Sequence, residues 1–229
     1  MDTCVRPHSA WTALVLCLPT AAWAGPILLP FTEGDAGYSV LTDNHLLEQG
    51  SVEGRIGNRL DTGTWELGIW RRSNIGPFLN LSQLSWTNGV AAPFSIVYDG
   101  ANTVTYTLGG VTISSSQLGG TFTDIFIRTR SARTGSIIVQ NINMVGQLAI
   151  GNISSEGDGT TNYLRINNQG AHFGAFEITG SQVLTWQVNE PPQNSTVSAQ
   201  FRFTNIVPAP GPAASLAAVG LFAARRKRR

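Results

Sequence analysis

Apolar and polar residues alternate with a period of two through the middle of the chain, a pattern that predicts strands rather than helices. Phe94, Ile96 and Tyr98 alternate toward Asp99-Gly100-Ala101-Asn102, and Val104, Tyr106 and Leu108 alternate away from it. Asp-Gly between two such runs predicts a hairpin turn, because glycine accepts the positive φ that bulkier residues resist. Gly109-Gly110 turns the chain again into Val111 to Ser114. Thr121 to Arg130 predicts a strand with Ile125 and Ile127 on one face and Asp124, Phe126, Arg128 and Arg130 on the other. Phe176 and Ile178 oppose Glu177. Leu184, Trp186 and Val188 oppose Thr185 and Gln187, and Ala199, Phe201 and Phe203 oppose Ser198, Gln200 and Arg202. Upstream, Trp65, Leu67 and Ile69 share a face that leaves Glu66, Gly68 and Trp70 opposite. Turn signals recur every 8–12 residues or roughly so, as in sandwiches and jelly rolls. The expected body is one all-β domain over residues 25–206, an antiparallel β-sandwich or jelly roll.

The two ends read differently. In residues 1–24, Arg6 supplies a basic start, Ala10 to Pro19 a short apolar core, and Ala22-Trp23-Ala24 a small-x-small site. That order predicts a signal peptide that signal peptidase cuts after Ala24, freeing Gly25. The apolar run is shorter than the ~20 residues of a membrane span. Leu14-Val15-Leu16 before Cys17 lack the small residues of a lipoprotein anchor site. A buried N-terminal helix is the bland alternative. At the other end, Val207-Pro208-Ala209-Pro210 precedes an apolar stretch, Gly211 to Ala224, and then Arg225, Arg226, Lys227, Arg228 and Arg229. From Ile206 the apolar part is about 19 residues, roughly 28 Å as a helix, enough to span a thin bilayer. Five cations resist translocation, which predicts a cytoplasmic C-terminus, a membrane-held precursor and a body on the outer side.

Charge is segregated accordingly. Between Gly25 and Ala224 the chain carries nine arginines, no lysine and thirteen carboxylates, so the body is acidic at −4 although the whole chain is +1. An acidic body without a basic stripe argues against a nucleic-acid partner. Both cysteines, Cys4 and Cys17, fall in the predicted leader. The expected mature protein has neither a disulfide nor a thiolate metal site.

The tail, Val207 to Arg229, resembles the PEP-CTERM sorting signal of Gram-negative bacteria, with Ala209 where that family has glutamate. The resemblance implies an exosortase-like sorting enzyme as partner, cutting at the motif; a plain uncut anchor is the alternative. The hairpin, Asp124 to Arg130 and the strand ending in Thr185-Trp186 resemble the choice-of-anchor exported domains, the W subtype among them. This second resemblance implies an exported β-sandwich; the sorting-like tail makes a cell-surface or extracellular-matrix component the expected role, and no enzymatic activity is expected.

The candidate chemistry is sparse. Residues 25–229 hold two histidines, His45 and His172, far apart, and none of the nucleophile-elbow, H-E-x-x-H or phosphate-loop motifs. No cofactor is expected. Scattered carboxylates would support glycoside hydrolysis only if the fold brought two of them together across a substrate. Trp70 with Glu66, and Trp86 beside Asn88-Gly89, could form a stacking platform for an exopolysaccharide; the alternative makes Trp70 a covered core residue. Glu156, Asp158 and Asn162, in the oxygen-rich loop Glu156 to Asn162, could offer ligands to calcium, or form an ordinary polar turn. Asp124, Arg128 and Arg130 could meet an acidic partner or pair across strands.

Overall fold

Most of the predicted strands form, and others join them in two antiparallel sheets. The computed structural model describes residues 25–44, 46–56, 65–71, 78–190, 192 and 197–206. The leader sites Ala22 and Ala24, His45 and the whole tail from Val207 lie outside the described residues. In chain order the elements are β1 (Ile27–Leu29), α1 (Gly34–Asn44), β2 (Leu46–Arg55), β3 (Leu67–Trp70), β4 (Phe78–Ser82), β5 (Ala91–Tyr98) and β6 (Val104–Leu108). There follow β7 (Val111–Ser115), β8 (Asp124–Arg130), β9 (Ser136–Met144), β10 (Leu148–Glu156), β11 (Thr161–Asn167), β12 (Phe176–Thr185) and β13 (Ser198–Ile206). One sheet has seven strands in the order β1-β11-β8-β13-β2-β3-β4, the other six in the order β10-β9-β12-β5-β6-β7. The arrangement is an all-β sandwich.

Its core is the sum of the alternating sets. Phe94, Ile96 and Tyr98 from β5 and Val104, Tyr106 and Leu108 from β6 are buried against Ile125 and Ile127 of β8 and Ala199, Phe201 and Phe203 of β13. Rings cross the gap, Phe94 to Phe201 at 5.2 Å and Tyr98 to Phe122 at 4.9 Å. Burial of this much apolar surface is the main favourable term in folding. The β5–β6 turn forms as expected, with a further contribution from Asp99. Its carboxylate accepts hydrogen bonds from the amides of Ala101, Asn102 and Thr103, while Gly100 takes φ +86°.

Several expectations change in the structure. Phe176, Ile178 and Leu184 belong to one continuous strand, which runs through Gly180 without a turn. A Cβ there would lie 2.7 Å from the Phe94 ring and 2.9 Å from the Gln140 carbonyl, so the glycine permits close approach inside a strand. That strand ends at Thr185, leaving Val188 85% exposed instead of on a buried face. Helix α1 has no counterpart in the alternation. It lies on the outer face of the seven-stranded sheet, where Tyr38, Leu41 and neighbouring Phe31 cover Phe126 and Tyr163. Trp65 sits on the outer face too. It precedes β3, so strand parity does not reach it, and its ring packs over Gly68, where a Cβ would come within 2.7 Å.

Side chains lace the two sheets along both flanks. Asn80 of β4 donates to the Ser114 carbonyl of β7, and Asn162 of β11 donates to the Ser154 carbonyl of β10. Between the sheets, Gln182 donates to the Tyr106 hydroxyl directly beneath Gly54. A Cβ at Gly54 would lie 2.7 Å from each of Gln182 Oε1, Tyr106 Oη and Leu108 Cδ2. Gly54→Ala is therefore expected to destabilise the domain by about 1–3 kcal/mol, the usual cost of overpacking. A denaturant midpoint equal to that of the wild type would show that the sheets separate freely at this point.

Candidate functional site

The two outer faces of the sandwich differ in chemistry, and the difference starts in the strands. Strands of the seven-stranded sheet carry Glu48, Glu53, Arg55, Asp124, Arg128, Arg130, Arg165 and Arg202. Strands of the six-stranded sheet carry Glu156 and Glu177 as their only charged residues.

On the charged face, register aligns Tyr163, Arg128, Gln200 and Glu53 on adjacent strands. Asp35, in the first turn of α1, receives the Arg128 guanidinium on both oxygens at 2.8 Å and the Tyr163 hydroxyl at 2.5 Å. A carboxylate at that end of a helix also suits the helix dipole. Burial pulls the Asp35 carboxyl toward neutrality. Hydrogen bonds from Arg128 and Tyr163, with the charges of Arg128 and Arg202, outweigh it and bring the pKa down to about 2. Gln200 takes Arg202 and Arg128 on its side-chain carbonyl and hydrogen-bonds Glu53. Glu53 is fully enclosed. Desolvation raises its pKa, and Gln200 with the nearby arginines offsets only part of that rise. Arg202 lies 4.4 Å over the Tyr38 ring. Asp124 is buried and accepts from Arg165, Asn167 and Thr123. Cross-strand pairing thus accounts for Asp124, whereas Arg128 pairs with a helix that the alternation did not reveal. These groups clamp α1 to the sheet and face one another rather than an outside ligand.

The tryptophan candidates lie beside this cluster without forming an open platform. Trp70 is 9% exposed, with Phe78 tilted against its ring at 3.7 Å and Trp65 edge-on at 5.4 Å, the covered arrangement. Arg55 caps Trp65 at 3.4 Å. The Glu66 carboxylate accepts from the Leu84 amide, and Trp86 donates its indole N–H to the Arg55 carbonyl. Two buried polar atoms on cross-strand neighbours, Ser51 Oγ and Trp70 Nε1, have no hydrogen-bond partner among the described residues.

The oxygen-rich loop is committed to its own geometry. Asp158 accepts from the Arg133 amide, Gly157 offers its carbonyl to Ser131, and the Asn162 amide group reaches Ser154. Glu156 is exposed. Among the described residues no three His, Cys, Asp or Glu side chains gather as metal ligands would. His172 is exposed, and its backbone carbonyl accepts from Asn168. Gly25, the predicted new N-terminus, is exposed and receives the Gln169 side-chain amide on its carbonyl.

The outer face of the six-stranded sheet is the feature that strand-by-strand reading missed. Register places Thr112, Thr107, Ser95, Thr179 and Asn143 side by side on β7, β6, β5, β12 and β9. None of the five is buried. Hydroxyls pair across β6 and β7, Thr107 with Thr112 at 2.9 Å and Thr105 with Ser114 at 3.0 Å. A parallel row, Ala91, Val183, Ile138 and Ser154, is mildly apolar. The signal lay in the charge-poor, Thr- and Ser-rich strands, but only register could show one continuous row.

The clamp gives two expected outcomes. Asp35→Asn should lower stability at pH 6. Because the folded pKa of Asp35 lies below its ordinary 3.8, the ion pair contributes above about pH 4 and is lost as pH falls through about 2. The gap between wild type and variant, measured by chemical denaturation, should close over that range; a constant gap would count against the pair. Ser51→Ala removes a buried hydroxyl that makes no bond among the described residues and should raise stability by about 1 kcal/mol. A clear loss in thermal unfolding would reveal a partner for that hydroxyl. Neither a scan of protein-family models nor a search of curated proteins finds a match to this chain.

Proposed function

We propose that the protein is an exported, non-enzymatic component of the cell surface or extracellular matrix, sorted through its C-terminal tail by an exosortase-type system. One observation carries this reading: Val207-Pro208-Ala209-Pro210, a short apolar stretch and five terminal cations stand in that order. A proline-rich stalk sets the body off, the apolar stretch stalls in the bilayer, and the cations hold the end inside. The Ala22-Trp23-Ala24 site supplies the matching entry signal.

The shape of the body supports the same reading. β1 begins at Ile27, two residues after the predicted cleavage point, and β13 ends at Ile206, one residue before the motif. Removing both ends would therefore leave both sheets whole. No cysteine occurs between Gly25 and Arg229, so an oxidising exterior has no thiol there to act on. Asp35, Glu53, Arg128 and Arg202 hold one another and α1 rather than facing a substrate, which favours an interaction role over hydrolysis.

The test is fractionation of cells expressing the chain with an internal epitope tag. Wild type should pass from an inner-membrane precursor to a shorter surface or released form. Pro208→Ala/Pro210→Ala should accumulate as precursor in the inner membrane. Normal release of the double variant would refute processing at this motif, and recovery of the intact chain from the cytosol would refute export altogether.

A further inference from the structure

We infer that the outer face of the six-stranded sheet is a binding surface for an extended, uncharged polysaccharide lying across the strands. The inference deepens the proposed role at the cell surface and rests on it only for where the ligand would be met.

Charge is the first argument. The six strands contribute no lysine, arginine, histidine or aspartate, and Glu177 and Glu156 are their only carboxylates. A polyanion would find no cation on these strands, and a polycation only those two separated carboxylates. A neutral polymer incurs no penalty for desolvating ions, so its match to this face is electrostatic as well as steric. The contrast with the opposite sheet, whose strands carry eight charged residues, makes this neutrality a property of one face.

Hydrogen-bonding chemistry is the second. Hydroxyls are at once donors and acceptors. In the pair Thr107–Thr112 either oxygen can donate, so one hydroxyl hydrogen and several lone pairs are left for an outside partner; in the pair Thr105–Ser114 the Ser114 hydroxyl also donates to the Val104 carbonyl, so that pair offers lone pairs. Ser95, Thr179 and Asn143 continue the row. A sugar polymer presents the same mixed donors and acceptors and answers such a row without a charged group on either side.

Spacing is the third. Adjacent strands lie ~4.8 Å apart, so the row from Thr112 to Asn143 offers one polar side chain per strand over roughly 19 Å. That interval is close to the length of one pyranose ring in an extended chain. The flanking row on the same face sets Val97 between Thr105 and Glu177, and the exposed Val97 methyl groups are open to the apolar face of a ring. The side chains are short and rooted in a six-stranded sheet, so little conformational freedom is lost on binding.

The experiment is a depletion isotherm with the detergent-solubilised full-length protein on amorphous cellulose, with alginate beads as the charged comparison. Wild type should be depleted by cellulose, with little change between low and high salt, and not by alginate. Thr107→Val/Thr179→Val keeps shape and strand preference while deleting two hydroxyls, and should bind at least about tenfold more weakly. Trp70→Phe, on the other sheet, should bind as wild type does. No depletion by cellulose, an unchanged isotherm for the threonine double variant, or equal salt-sensitive binding to alginate would each overturn the inference. So would a sedimentation mass that rises with concentration and returns to monomer in Thr107→Arg, since the face would then join copies of this chain. Localisation is read separately: a cellulose-binding protein confined to the cytosol sinks the proposed function alone, and an exported one that ignores cellulose sinks the face alone.

Discussion

A charged side chain withdrawn from water must find an opposite charge or a full set of hydrogen bonds, and the seven-stranded sheet is built around that requirement. β13 is buried on both faces: Ala199, Phe201 and Phe203 look into the sandwich, while Gln200 and Arg202 look into a second layer under α1. That second layer is stable only because Arg128 finds Asp35, Arg202 finds Gln200 and Tyr38, and Asp124 finds Arg165. Remove the helix and several arginines lose their enclosure together. The helix in turn has little to offer by itself; apart from Tyr38, Leu41, Asp35 and an exposed Val40 its residues are small or polar, and the sheet beneath holds it in place.

How much of this could be read from the chain depends on whether the deciding contact is local. The β5–β6 hairpin was legible because strand parity and an Asp-Gly turn agree within fifteen residues or so. The inward sets of β8 and β13 were legible for the same reason. The role of Gly180 was not legible, because a glycine looks the same in sequence whether it bends the chain or clears space for a ring; Phe94, which decides it, comes from β5. Helix α1 failed because its apolar face is narrow and its strongest tie, Asp35 to Arg128, spans 93 positions.

The candidate sites divide along the same line. Trp70 and Glu66 were visible as an aromatic beside a carboxylate, but Phe78 and Trp65 cover the ring and Glu66 serves a loop amide. Register, not composition, turned scattered threonines and serines into a row over five strands. Neighbouring side chains on one sheet face come from segments dozens of residues apart, so such surfaces emerge only once strand order is known.

The asparagine ties along the two flanks bear on how densely the molecule can be displayed. Asn80 and Asn162 occupy carbonyls on β7 and β10, the outermost strands of the six-stranded sheet, where a stranger's backbone would otherwise add itself. With one rim of its partner sheet reduced to the three residues of β1, the molecule offers poor footholds for endless edge-to-edge growth. Crowded copies would then remain discrete particles rather than fuse into fibre.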